Sequence, residues 1–600
     1  MEKDILHYYE QELTFIRELG SEFAKKNPKI AGRLLLEPGK CEDPHVERLI
    51  EAFALLSGRI HKKIDDDFPD ITESLLQILY PHYVNPIPSM SVVILEPARQ
   101  TVPPTGYQVG PNTLLYSKPV NGHPCQFATR YPVTLRPIEV VAATLREPRK
   151  PRRNAQQALV IQLKSFNNLP FSKLDLRQIR FFLNGPGQNV FHIHELLFNN
   201  VCHLECVSQN RDGRIEEFSL GPESVRPVGF EAEETLVPFS SRSFPGYLLL
   251  FEYFCFPEKF LFFDLDGLGR LAETSFQDTL DIWIYLDRTA KTNLLVNKET
   301  FCLNATPVVN LFTRIAEPIR IDHERTEYRV IPDIRRSEAT EVFSVDRVVS
   351  TSLSMQNEKE YRPLYSVRHH LDDSSERAPE AFWHMSRRPS GRHGDDGSDV
   401  FISFVDLNFK PTDPGAETAT VYLTCTNRDL PGRLLFGDPD GDFETETAAP
   451  VSAIKCLLKP TATRRPTLGG ALQWRLVSHL SLNYLSLVSG GEDALKEILC
   501  LYDFDNSFVT QQQISGIVTL HSEYVTKRIG HSFCRGVRVT MTLDEEKFVG
   551  TGLYLFACIL ERFISQYISV NSFTQLVVRT LQRKEILKTW PPRNGKRILL

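Results

Sequence analysis

Val46, Leu49, Ile50, Phe53, Leu56, Ile60 and Ile64 recur at three- and four-residue steps, while Glu47, Arg48, Glu51, Arg59, Lys62 and Lys63 fall mostly off that line. This spacing puts the apolar side chains on one face of a helix. Asp43 followed by Pro44 marks the start, because the carboxylate can accept from a free N–H of the first turn and proline at the first helical position gives up no bond. The pattern predicts a helix over 43–64, about 33 Å long at ~1.5 Å per residue. A stripe of that length must lie against something of similar length.

The neighbouring residues extend the helical reading. Asp70 with Glu73 three residues on has the form of a capping box, and the helix it opens must stop near Tyr80, ahead of Pro81. Pro86 and Pro88 then force extended chain. Upstream, Leu6, Tyr9, Leu13, Ile16, Leu19 and Phe23 mark one face of a helix over 3–25, ending before Pro28. Residues 1–90 therefore read as a helical module, which could fold on itself or lend its stripes to a bundle shared with other chains.

From Ser91 the period changes. Short β-type runs separated by VPPTG and KPVNGHP lead into strand candidates at QALVIQLKSF, QIRFFLNG, YLLLFEYFCF, KFLFFDLDG, DIWIYLDR, TEYRVIPD, DVFISFVDLNF and ATVYLTCTN. A β-rich region over 91–460, in two subdomains, is expected. The segment 370–399, rich in Ser, Arg, Asp, Gly and Pro, reads as a mobile loop within it. Residues 461–600 read as an α/β domain: helices at LGGALQWRLVSHLSLNYLSL, EDALKEILCLYDF and 551–569, strands at RGVRVTMTLD and SFTQLVVRTLQ. The fold class is α+β, multidomain, as 600 residues exceed what one hydrophobic core organises.

Composition excludes several functions. The formal charge of −6 leaves no overall basic surface for a phosphate backbone, so no nucleic-acid partner is expected. The charged start MEKDILHYYEQEL lacks the apolar core of a signal peptide. The most apolar run, 247–265, carries Glu252, Glu258, Lys259, Asp264 and Pro257, so no direct membrane insertion is expected. Eleven widely scattered cysteines suit a reducing cytoplasm better than a disulfide framework. Phe outnumbers Tyr by 38 to 19, which favours many buried ring contacts, in cores or at permanent interfaces.

The candidate chemistry is weak. GLGRLA (Gly267 to Ala272) follows an apolar strand and precedes Asp287, the outline of a dinucleotide fingerprint, yet Asp264 and Asp266 would sit beside the pyrophosphate; a glycine turn between strands is the simpler reading. His192, His194, Cys202, His203 and Cys206 could be assembled into a metal site, with the two histidines on one face of a strand and the cysteines on one face of a helix. No CxxC knuckle or HExxH supports it. DPDGD at Asp438 to Asp442 begins like a calcium loop, but Phe443 and Ala449 replace the required Gly and Glu. Asp65, Asp66 and Asp67 read as a solvated helix end. The basic run with Arg146, Arg149, Lys150, Arg152 and Arg153 reads as a solvated loop. No enzyme signature emerges, and neither a cofactor nor a metal is expected.

Longer stretches carry more information than these motifs. DPHVERLIEAFALLSGRI, TESLLQILYPHYVNPIPSM, YYEQELTFIRELGSEFAKKNPKIAGRL, PVVNLFTRIAEPIRIDHERTEYRVIPD, CTNRDLPGRLLFGDP and the run from TLDEEKFVGTGLYLFACILERF to WPPRNGKRILL resemble the TssF family of the bacterial type VI secretion system. The resemblance implies a structural subunit of the baseplate wedge at the inner-membrane-docked baseplate, on its cytoplasmic side. It implies two copies of this chain per TssG, contacts to TssK, TssE and the VgrG spike, and a role in sheath assembly and contraction. A phage-tail baseplate wedge protein is the alternative that shares this logic. Tyr9, Leu13, Ile16, Val46, Leu49, Phe53 and Ile60 are the expected partner interface.

Overall fold

The computed structural model describes residues 8–9, 12–13, 16, 36–37, 40–41, 44–67, 69–151, 154–209, 213–239, 243–291, 294–322, 324–352, 358–364, 381–392, 395–406, 417–466, 491–529, 532–567, 572–583 and 585–595. It divides into two compact units, Met1–Gln77 with Thr467–Ser481 and Ile78–Pro466 with Leu482–Leu600.

In the first unit, α1 (Pro44–Asp67) opens at Pro44 as the sequence requires and runs three residues past Ile64. Asp65, Asp66 and Asp67 are thus its last helical residues. α2 (Pro69–Leu79) also starts on a proline and stops just before Tyr80 and Pro81. Of the helix expected over 3–25, Tyr8, Tyr9, Glu12, Leu13 and Ile16 are described, and all five are helical; the rest lies outside the described residues. Leu36–Glu37 and Lys40–Cys41 pair as a small antiparallel ladder.

The second unit is centred on a closed barrel of six strands, in the order Ala305–Val309, Met90–Pro97, Val451–Cys456, Phe443–Thr445, Leu114–Ser117 and Gln126–Thr129. Val93, Leu95, Leu115, Phe127, Val308, Phe443 and Ile454 fill it. Its strands come from residues 90–129, 305–309 and 443–456, so two long stretches are inserted between them. The first, 138–303, makes a five-stranded sheet (Ile215–Leu220, Val201–Gln209, Thr279–Leu286, Gln157–Ser165, Ile138–Arg146) and a four-stranded one (Val225–Pro227, Phe262–Asp266, Gln178–Leu183, Phe301–Leu303). The second, 312–426, makes an antiparallel-dominated eight-stranded sheet around Val348, Ile402, Ala419, Val421 and Cys425.

Helices follow in chain order: α3 (Pro81–Val84), α4 (Gly187–Asn199), α5 (Pro245–Cys255), α6 (Gly491–Cys500), α7 (Phe508–Ser515) and α8 (Leu553–Ser565). The last sheet runs Ile517–Ile529, Ser532–Leu543, Ser572–Thr580, Ile586–Thr589. Ser532–Leu543 and Ser572–Thr580 are parallel, with α8 as their crossover, so the two strands and the helix expected here form a β-α-β unit. α8 is buried nearly all round because α5 covers the side away from its sheet: Tyr247 meets Phe563 at 5.8 Å and Tyr253 meets Phe556 at 5.8 Å.

Two readings change. YLLLFEYFCF is helix α5, not a strand: Pro245 occupies its first turn, and Tyr247 to Phe251 are all buried, so burial erases the 3.6-residue alternation that would have marked a helix. Within the expected mobile loop 370–399, Ala381–Pro389 is a strand paired with Ser398–Asp406. Ala381, Trp383, Met385 and Arg387 alternate inward, a period-two pattern hidden by its polar surroundings. Residues 370–380 and the helix expected at LGGALQWRLVSHLSLNYLSL lie outside the described residues.

Candidate partner-binding surface

α1 turns its large side chains outward. Leu49 is 69% exposed, Phe53 65%, Leu56 57% and Ile60 61%. At ~100° per residue these four fall within an arc of about 60°, so they form one continuous ridge. Behind the ridge Ala54 and Gly58 are buried, and on its flank Ser57 donates a 2.8 Å hydrogen bond to Glu12 Oε2. A Cβ on Gly58 would lie 3.1 Å from the Tyr8 carbonyl carbon and 3.1 Å from the Tyr9 amide nitrogen. The first helical segment therefore packs on the small-residue face and leaves the ridge uncovered.

The expected interface residues consequently separate into two groups. Leu49, Phe53 and Ile60 lie together on the ridge, and Leu56 joins them between Phe53 and Ile60. Tyr9, Leu13 and Ile16 are half-buried in the segment packed behind α1. Val46 is on α1, three residues before Leu49, with its side chain outside the described set. The sequence showed the ridge but not which face of α1 the first segment would occupy, because that choice rests on Gly58 and Ala54 rather than on large apolar residues.

The motifs with possible chemistry are occupied by structural roles. The His/Cys cluster falls on α4 and on strand Val201–Gln209, the reverse of the helix and strand assumed for them, so His192 and His194 point apart. Burial pushes His194 down to about 3 and the Cys206 thiol up to about 12, leaving both neutral. Among the described residues, no group of three or more His, Cys, Asp or Glu is placed to hold a metal ion. GLGRLA becomes a 3-10 turn after Gly267, which has φ of +83°; its flanking strands are antiparallel to their neighbours, and Asp287 accepts a hydrogen bond from Asn200. A dinucleotide fold needs a parallel unit there. In DPDGD, Asp442 accepts from the backbone of Asp438 and Cys456, which makes a braced turn. Arg149 and Lys150 both pair with Glu217.

A cavity of about 470 Å³ lies between α4 and the start of α8, lined by His192, Glu195, Lys291, Glu545, Tyr554 and Arg583 among others. Arg583 is engaged by Glu195 at 2.6 Å and Glu545 at 2.5 Å. Burial holds the Tyr554 hydroxyl far above its ordinary range, and it donates to the Phe198 carbonyl at 3.0 Å. The charges here tie the C-terminal β-α-β unit to α4.

The family model described as "Type VI secretion system, TssF" matches residues 1–597. The type VI secretion system component TssF1 of Pseudomonas aeruginosa PAO1 is 35% identical over 622 aligned residues, covering 100% of both chains. A chain of the type VI secretion system TssK-TssF-TssG baseplate subcomplex, solved by cryo-electron microscopy, is similar with a TM-score of 0.74 and 28% identity, over 92% of this chain and 99% of that one. A chain of the type VI secretion system baseplate complex is similar with a TM-score of 0.62 and 25% identity, over 99% of this chain and 100% of that one. With its whole length matched in sequence and fold, this chain belongs to the TssF family of type VI secretion baseplate subunits.

Proposed function

We propose that this chain builds the baseplate wedge by assembling with TssG and TssK, two copies of it to one TssG, and that the exposed ridge of α1 is one wall of a helical bundle shared between chains. The observation that carries this reading is the ridge itself. Four large apolar side chains in an unbroken line are more than scattered surface residues, and burying each would contribute on the order of 1.5–3 kcal/mol. Two of the similar structures come from baseplate assemblies, one of them containing TssK, TssF and TssG, which supports the same partners here.

In this reading the chain also meets TssE and the VgrG spike, and its work is to hold the spike and pass a change of shape to the sheath rather than to turn over a substrate. It acts on the cytoplasmic side of the inner membrane; among the described residues no helix is long and apolar enough to cross a membrane. Co-expression with TssG and TssK, followed by size-exclusion chromatography with light scattering, tests the proposal. A stable complex with more than one copy of this chain per TssG is expected, and a monomer that ignores both partners would overturn it.

A further inference from the structure

A cavity of about 290 Å³ opens between the short ladder of Tyr107–Val109 with Val133–Leu135 and the strand Gln178–Leu183 of the four-stranded sheet. Five charged residues line it, Arg136, Arg177 and Arg180 against Asp175 and Asp264, so one positive charge is left over. The ion pairs show which one. Arg180 is committed to Asp264, with Nε 2.7 Å from Oδ1 and Nη2 2.8 Å from Oδ2. Arg177, its side chain 86% exposed, lies 3.5 Å from Asp175.

Arg136 is the remaining cation. It is half-buried, and among the described residues it has no ion pair. Its Nη1 donates to the Gln178 carbonyl at 2.7 Å, while Nε is sealed from solvent without an acceptor. Nη2 is left uncommitted. Burial pulls the Arg136 pKa below the ordinary arginine value, and the charge of Asp175 opposes that pull. A half-buried guanidinium without a counter-ion is costly, and a carboxylate brought to it offsets the cost.

The side chain is also held in place. Gly106, at φ +83°, comes so close that a Cβ there would lie 2.9 Å from Thr134 Cγ2 and 3.3 Å from Arg136 Cγ. This turn packs against the Arg136 stem while the Gln178 carbonyl fixes its head, so the guanidinium is oriented before any ligand arrives.

We propose that this cavity binds a single carboxylate group, with Arg136 as its anchor and Gln108 and Thr134 in the same wall. One negative charge balances the cavity. A phosphate dianion would bring a second charge beside Asp175 and Asp264, and a nucleic acid or lipid surface needs an array of cations that one uncommitted arginine does not supply. The source is an acidic protein side chain or a small free acid, which share this chemistry and which the probes below separate.

Isothermal titration calorimetry of the full chain at fixed ionic strength tests the site, with acetyl-Ala-Glu-Ala-amide and propionate as probes and acetyl-Ala-Gln-Ala-amide, propionamide and inorganic phosphate as controls. At least one carboxylate should bind about tenfold more tightly than its amide and than phosphate. Tighter binding of the peptide assigns the site to an acidic side chain, and tighter binding of propionate to a free acid. Arg136→Gln should abolish the preference, and Arg177→Gln should leave it within about threefold, because an exposed pair contributes little. Hydrogen exchange on the parent chain should show protection by the bound carboxylate at residues 106–109, 133–136 and 175–178, which reads the site even where Arg136→Gln fails to fold. No preference for either carboxylate over its amide, tighter binding of phosphate, a preference that survives in folded Arg136→Gln, or protection only elsewhere would each overturn the proposal.

Discussion

Gly58 of α1 lies against the backbone of Tyr8, close enough that a Cβ at position 58 would sit 3.1 Å from the Tyr8 carbonyl carbon and 3.3 Å from its oxygen. The neighbours are main-chain atoms, which cannot rotate away as a side chain would. This contact decides that the small face of α1 turns inward and the ridge of Leu49, Phe53, Leu56 and Ile60 outward.

Gly58→Leu should therefore lift the first helical segment from α1. Overpacking of this kind costs ~1–3 kcal/mol. Hydrogen exchange read by mass spectrometry should show faster exchange along α1 in the variant; unchanged protection would mean that the segment does not rest on Gly58.

Glu252 and Lys259 form an ion pair with both side chains 1% exposed, and Glu252 also accepts from the Leu236 amide at 2.5 Å. Lys259→Met removes one charge and leaves the other buried, which should cost ~3–5 kcal/mol. The double variant Lys259→Met with Glu252→Gln should recover part of that loss. Urea unfolding measures both, and a single variant no weaker than the double would show that the pair is not coupled.

His82 and His194 are both pushed down to about 3 by burial, from 6.5. Between those values the unfolded chain binds protons that the folded chain does not. Stability is therefore complete above about pH 6.5 and declines as pH falls toward 3, by up to about 1.4 kcal/mol per pH unit for each histidine. His82→Gln with His194→Gln should flatten the pH dependence of unfolding between pH 6.5 and 5; a slope equal to that of the parent chain would show that these imidazoles are protonated in the folded state.

Much of the architecture could be read from the residues, though unevenly. α1, α2 and the C-terminal β-α-β unit were visible because Pro44, Pro81 and the alternation Val537, Val539, Met541, Leu543 act locally. The barrel was not, since Met90–Pro97 pairs with Ala305–Val309 and Val451–Cys456, hundreds of residues away, and local patterning carries no record of such partners. α5 was misread because a helix buried on every side loses its period. Of the candidate surface, Leu49, Phe53, Leu56 and Ile60 were legible as one stripe on α1, whereas the division of α1 into a ridge and a packed back depends on Gly58 and Ala54, whose small size gives no signal in an apolar pattern.

The central claim is that the α1 ridge is covered by partner chains in the wedge. The most direct measurement is the mass of the complex formed on co-expression with TssG and TssK when Phe53 and Leu56 are each replaced by Asp, read by light scattering. An unpaired carboxylate in a desolvated helical seam costs several kcal/mol, so the account predicts that the complex is lost or reduced to a smaller assembly while thermal unfolding of the chain alone is unchanged. A complex of the parent mass at the parent yield would place the ridge outside every interface and contradict it.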